Sequence, residues 1–348
     1  MALGAAGVGA HLAAKPLARW QTRRWLSGLH GMRGDFLDAR LSFFPLVYGI
    51  SRLKLIQPAR QTREPLVYAE GISLQLLWGP LLAGHLVVRI QCQGMKVVLE
   101  QPGPGTPTRL PDLPSLVPVA LLVDRVQAKD GEVLYVWIHQ KGQPTMWFHG
   151  IEATLENVGS RPQVASGLMT LAATGIVQRS GRMSVVVLAD PYATPLTFRG
   201  EASLQGFDVS QMNALIDSQR GVKLSPGVFS LQMTFESNAG RLEGRVDPHL
   251  VSSEVIAQDS KLASGLTAFF GRISMAISPQ PDGTTASGAI LVRDELTEPS
   301  RQLLPSMEKV VENGFLLGLQ ESLRRVYAGA PSPDTQAGAK RTELGTGK

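Results

Sequence analysis

The stretch from Gly227 to Val246, "GVFSLQMTFESNAGRLEGRV", constrains the fold more than any other part of this 348-residue chain. Phe229, Leu231, Met233 and Phe235 alternate with Ser230, Gln232, Thr234 and Glu236. A period of two sends successive side chains to opposite faces of a strand, so the segment has one oily and one wet face. Past a turn over residues 237–240 the chain returns through Leu242 and Val246, with Arg241, Glu243 and Arg245 between them. The spacing predicts Leu242 and Val246 on the face of Phe229, Leu231, Met233 and Phe235. That face touches either another layer of the protein or something the protein carries.

Similar runs recur along the chain at intervals of roughly ten to sixteen residues, with Gly and Pro between them, as a series of short strands requires. "LDARLSFFPLVYGISRLKLIQP" gives two segments broken near Pro45–Gly49, and "HLVVRIQCQGMKVVLEQP" two more with Gly94 as a bend or bulge. "VALLVDRVQAKDGEVLYVWIHQ" reads as a hairpin turning at Lys129–Asp130–Gly131, since Asp-Gly between alternating runs favours a tight turn. Tyr135 and Trp137 share one face of its second arm, near Trp147 and Phe148 of the next strand. Helix is expected at 208–220, capped by Asp208 or Ser210 and stopped by Gly221, and again at 299–328, where apolar residues recur at helical spacing. Without βαβ alternation, the expected fold is mainly β with capping helices. It is a long, meandering antiparallel sheet curled into a groove or taco shape, because a sheet of that many strands cannot stay flat. The divisions are an N-terminal helix (1–34), a curled β domain (35–298) with a Pro-rich loop at 102–118, a C-terminal helix (299–328) and a disordered tail (329–348).

The N-terminal run "MALGAAGVGAHLAA" is apolar but shorter than the ~20 residues a helix needs to span a bilayer. It is read as a shortened membrane anchor, an interfacial segment or a soluble leader. Arg19, Trp20, Arg23, Arg24 and Trp25 follow, residue types that gather where a helix meets a membrane surface. The alternative is an amphipathic helix closing one end of a β domain.

Signals for chemistry are absent. The six histidines form no HExxH pair, and Cys92 is the single cysteine, so neither a zinc site nor an intrachain disulfide is expected. Gly7 and Gly9 lack the third glycine, the preceding strand and the distal acid of a dinucleotide fingerprint. No phosphate-binding loop and no nucleophile elbow occur. Neither catalytic, cofactor-binding nor metal-ligating residues are therefore expected, and the protein is read as non-enzymatic. The formal charge of +5 is spread without a Lys/Arg block, which argues against nucleic acid but is compatible with an anionic membrane surface.

Several stretches carry a family likeness when taken in order. They are "RWQTRRWLSGLHGMRGDFLDARLSFFPLVYGISRLKL", "PLVYAEGISLQLLWGPLLAGHLVVRIQCQGMKVVLE", "VALLVDRVQAKDGEVLYVW" and "FDVSQMNALIDSQRGVKLSPGVFSLQMTFESNAGRLEGRV". Together they resemble the AsmA-like family of bacterial envelope proteins, particularly its short members built around a domain of unknown function. The resemblance covers most of residues 16–328. It implies a β-groove with an apolar inside, similar to bridge-like lipid-transfer proteins, held in the periplasm by an N-terminal inner-membrane anchor. It implies phospholipid or another acyl-chain lipid as partner, the membrane surface and envelope proteins as further partners, and a role in outer-membrane lipid homeostasis or assembly. Under it, Tyr135, Trp137, Phe229, Leu231, Met233, Phe235, Leu242 and Val246 are groove-lining candidates. Two alternatives stay open: an envelope scaffold whose apolar core is closed by its own helices, and an envelope glycan hydrolase, which needs only two carboxylates meeting in the fold.

Overall fold

The computed structural model describes residues 2–29, 31–58, 64–101, 121–137, 145–161, 164–165, 167–190, 192–193, 195, 197–214, 222–224, 226–238, 241–251, 255–257, 280–284 and 290–295. The expected Pro-rich loop, the C-terminal helix and the tail lie outside the described residues.

The chain opens with helix α1 (Ala2–Ser27). Strands β1 (Arg33–Asp35), β2 (Asp38–Phe43), β3 (Leu46–Ile56) and β4 (Val67–Leu76) follow, then a short helix α2 (Trp78–Leu82). The middle of the sheet is β5 (Leu86–Gln101), β6 (Leu121–Trp137), β7 (Thr145–Gly159), β8 (Met169–Val177), β9 (Gly181–Asp190) and β10 (Thr197–Asp208). After a 3-10 helix over Val209–Ala214 come β11 (Val222–Leu224), β12 (Val228–Asn238), β13 (Arg241–Val251), β14 (Val255–Ala257), β15 (Gln280–Thr284) and β16 (Ile290–Glu295). All but β11 and β14, which pair with each other, join a single 14-stranded sheet that curls without closing. Sequence neighbours are mostly sheet neighbours, as in a meander.

Three expectations are corrected. The stretch around Asp130–Gly131 is no hairpin: β6 runs straight through it, pairing with β5 on one side and β7 on the other along both halves. Asp130 takes φ +52° and forms a bulge instead of a turn. The stretch from Leu86 to Gln101 is likewise one strand, with Gly94 at φ +56°. The sheet is also not wholly antiparallel, because β5 and β6 run parallel.

Residues with a left-handed backbone, of which those near Asp130 and Gly150 accompany register shifts, explain why the alternation looked imperfect in sequence. Arg52 in β3, Gly94 in β5, Asp130 in β6 and Gly150 in β7 all have φ between +51° and +56°. A left-handed residue resets the side on which the following side chains emerge. The apolar residues accordingly change parity there, from Tyr48 and Ile50 to Leu53 and Leu55, and from Ile90 and Cys92 to Val97 and Leu99. Bulges also bend a strand and increase its twist, which suits a sheet that curls.

The expected helix over 208–220 is a 3-10 turn in its described part. Val209 and Met212, three residues apart, are buried, and the Asp208 carboxylate accepts the backbone N–H of Ser210 at 3.0 Å. A spacing of three matches the 3-10 repeat.

Helix α1 packs on β1 and β2 at one margin of the sheet. Ala18, Thr22 and Leu26, at intervals of four, form its buried stripe. Leu26 lies so close to Gly34 that a Cβ there would stand 2.5 Å from Leu26 Cδ2. Among the described residues no helix is long and apolar enough to cross a membrane.

Candidate functional site

Pairing register shows what the sheet presents on each face, because directly paired residues point the same way. Starting at Ala39 in β2, one row crosses Ile50, Ile72, Cys92, Ala128, Ala153, Ala173, Val185, Ala202, Met233 and Val246. Ile290 of β16 takes the next register position. Two residues along each strand, a second row reads Leu41, Tyr48, Leu74, Ile90, Val126, Leu155, Leu171, Val187, Gly200 and Phe235. No charged residue interrupts either row. The row between them, on the opposite face, reads Arg40, Gly49, Ser73, Gln91, Gln127, Thr154, Ala172, Val186, Glu201, Thr234 and Arg245. From β2 to β13 the sheet thus has one continuous apolar face and a largely polar back.

The predicted residues of β12 and β13 fall on the apolar face together. Phe229, Leu231, Met233, Phe235, Leu242 and Val246 are between 0 and 4 % exposed, whereas Gln232, Thr234 and Glu236 are exposed. Tyr135 belongs to the same face. Val177 shares the parity of Ala173 along β8, Phe148 is in register with Val177, and Val133, two residues from Tyr135, is in register with Phe148. The Tyr135 and Phe148 rings meet edge to face, centroids 5.8 Å apart. Trp137 ends β6 two residues further on, and its side chain lies outside the described part of the structure. Trp147 sits on the back instead, stacked on His149 at 4.1 Å, and His149 Nε2 is 2.7 Å from the Gln178 carbonyl oxygen.

Exposure varies along this face. At β12 and β13 the side chains are fully buried, while Val126, Val133, Tyr135, Phe148 and Leu155 in β6 and β7 are only half-buried. The residues that sequence reasoning missed are the alanines at 128, 153, 173 and 202. Singly they carry no signal, and only the register shows that they line up. Cys92 is in the same row, and burial raises the pKa of its thiol, which keeps it neutral and apolar.

The polar back holds a shallow depression of about 600 Å³ bordered by Arg199, Glu201, Glu236, Glu243 and Arg245. Arg199 stands opposite Glu236, and Glu236 opposite Glu243, so two carboxylates do face each other across neighbouring strands. Among the described residues no group of His, Cys, Asp and Glu side chains could hold a metal ion.

Of the membrane-proximal candidates, Trp20 and Trp25 are about half exposed, Arg23 and Arg24 are exposed, and the Arg24 guanidinium lies 5.4 Å from the Trp20 ring centre. Arg19 turns towards the sheet and donates from Nε to Asp38 at 2.9 Å. Lys15 and Arg40 reach the same carboxylate at 3.2 and 3.4 Å. Partial burial pushes the Asp38 carboxyl up, but the hydrogen bonds from the three cations outweigh it and bring its pKa down to about 2.

No protein-family model matches the chain, and no curated protein matches it.

Proposed function

We propose that this protein binds or conducts phospholipid without covalent chemistry, with acyl chains lying on the apolar face of its curled sheet. The observation that carries this reading is the unbroken apolar register from Ala39 to Val246, half-open at β6 and β7. An acyl chain needs only a continuous non-polar path, since each CH₂ removed from water contributes ~0.8 kcal/mol whatever its exact position. Alanine at the centre of the row leaves room that leucine or phenylalanine would fill. The ordered motifs that resemble the AsmA-like envelope proteins support the same reading, and with it a periplasmic setting beside the inner membrane and a role in outer-membrane lipid homeostasis.

A second reading is favoured by the near-complete burial of Phe229, Leu231, Met233, Phe235, Leu242 and Val246. There the face is already covered, as in an envelope scaffold whose apolar side is closed. The deciding experiment is lipid extraction and mass spectrometry of the detergent-free purified protein. Stoichiometric phospholipid supports the groove. A folded, lipid-free protein that also takes none from vesicles establishes the scaffold.

A further inference from the structure

The apolar face is unevenly covered. Ile50, Ile72, Cys92, Val126 and Leu155, across β3 to β7, are half-buried, as a curled single layer leaves its own inner side. Phe198, Phe235, Ser237 and Leu242, on β10, β12 and β13, are between 1 and 4 % exposed. Ser237 and Leu242 are in register beside the turn that joins β12 to β13. The end of a hairpin on an uncovered sheet is open to water, yet these two are 1 and 2 % exposed. A side chain standing off a sheet is closed from above only by a second layer, packed about 10 Å away.

The described helices lie elsewhere. α1 packs on β1 and β2, and α2 on β5. The 3-10 turn over Val209–Ala214 sits at the opposite end of β12, where the Val209 N–H donates to the Gly227 carbonyl oxygen at 3.0 Å. The layer over Ser237 and Leu242 therefore comes from another part of the chain, and β16 shows where one departs. Asp294 is in register with Leu242 and Glu295 with Arg241, so residue 296 leaves the sheet beside the buried pair.

Leu304, Met307, Val311, Phe315 and Leu319 then recur three or four positions apart, while Lys309, Asn313, Gln320 and Arg324 fall on the other side of a helix. From Leu304 to Leu319 such a helix extends about 23 Å, against about 20 Å along β12 from Leu231 to Ser237. An apolar stripe of that length can cover the buried side chains and keep its polar side in water.

We infer that the segment 299–328 lies as a helix along β10, β12 and β13 and closes that part of the apolar face. Acyl chains are then confined to the half-buried stretch over β3 to β7. The confinement rests on the function proposed above, whereas the closure itself does not.

The test uses the full chain with a photoreactive residue, Phe315→p-benzoylphenylalanine, irradiated and mapped by mass spectrometry of the cross-linked peptides. Links are expected to residues 229–246, and none to them from the same residue at Gln320, on the polar side of the helix. A second readout is maleimide labelling of Leu242→Cys in a Cys92→Ala background. The thiol should be protected in the folded protein and lose that protection when Met307→Asp and Phe315→Asp are added. Links from position 315 that miss the face, or that join two copies of the chain, overturn the inference. So does labelling of Leu242→Cys that the two aspartates leave unchanged. If the aspartate variant fails to fold, the cross-links decide by themselves, because the benzoyl group replaces one aromatic ring by another. Phospholipid is measured on the same samples. Links to β12 and β13 in a protein that carries no lipid leave the closure standing and remove the groove. Lipid carried without those links keeps the groove and overturns the closure.

Discussion

Phe235 lies across Gly200 of the neighbouring strand, so close that a Cβ built on Gly200 would stand 2.7 Å from Phe235 Cζ and 2.8 Å from the Val186 carbonyl oxygen. The two are directly in register, and the Phe235 ring also meets Phe198 edge to face at 6.0 Å. A bulky ring on the apolar face is thus accommodated by the absence of a side chain opposite it. Gly200→Ala is expected to destabilise the protein by about 1–3 kcal/mol, because one of the two clashing atoms is backbone and cannot rotate away. Urea unfolding would show the midpoint falling with an unchanged slope. An unchanged or raised midpoint would mean that the ring has room to shift.

The ion cluster on Asp38 yields a pH dependence. Its folded pKa of about 2 lies below the ~3.9 of an unfolded aspartate, so the unfolded chain binds the extra proton as pH falls. The stabilisation is fully present above about pH 4 and is lost as pH falls from there through 2. Asp38→Asn should lower the melting temperature at neutral pH and converge with the parent near pH 2. A difference that persists undiminished at the acidic end would assign the effect to packing and not to charge.

The sequence disclosed some of this and concealed the rest for identifiable reasons. The faces of β12 and β13 were legible because both strands keep a strict period of two without a bulge among their predicted residues. Tyr135 was placed with them only through the family resemblance, since the bulge at Asp130 changes parity between it and Ala128 and no local pattern shows that. Asp130–Gly131 was misread because a tight hairpin turn and a bulge both need φ above zero, which Asp and Gly supply equally well. What decides between them is non-local: β5 and β7 pair with both halves of β6. The parallel β5–β6 pairing depends on where the chain re-enters the sheet, and no local pattern encodes that. The stacking of Phe44 on Trp78 joins residues 34 positions apart, and neither residue by itself announces the other.

Cys92 offers a native probe of the apolar face, being the protein's one cysteine and in register with Ala128 and Ile72. With its thiol pKa raised by burial, it should react slowly with maleimides at neutral pH and faster as pH rises. If the face is an open path, bulky maleimides should nevertheless label the folded protein, and loading with phospholipid should protect it. If the face is closed, labelling should require denaturant and lipid should make no difference. Mass spectrometry of the labelled chain separates the two.

Charges placed at the two ends of the exposure gradient should behave differently. Leu231 is 4 % exposed beside Leu204, so Leu231→Asp, and likewise Met233→Lys, buries an unpaired charge and should cost about 3–5 kcal/mol. Phe148 is half-buried against Tyr135 on the same face, where water still reaches the side chain. Phe148→Asp should therefore cost no more than the roughly 0.5–3 kcal/mol common to point substitutions and leave the protein folded. For an acyl chain the consequence is reversed in kind: a carboxylate on the open stretch must lose water beside hydrocarbon, which blocks the path without unfolding the sheet. The expected outcome is a folded Phe148→Asp protein that retains no phospholipid, measured by lipid mass spectrometry beside thermal unfolding. Should Phe148→Asp carry lipid at the parent's level while stably folded, acyl chains do not run along this face and the scaffold reading gains. If instead it unfolds as Leu231→Asp is expected to, the face is closed along its whole length.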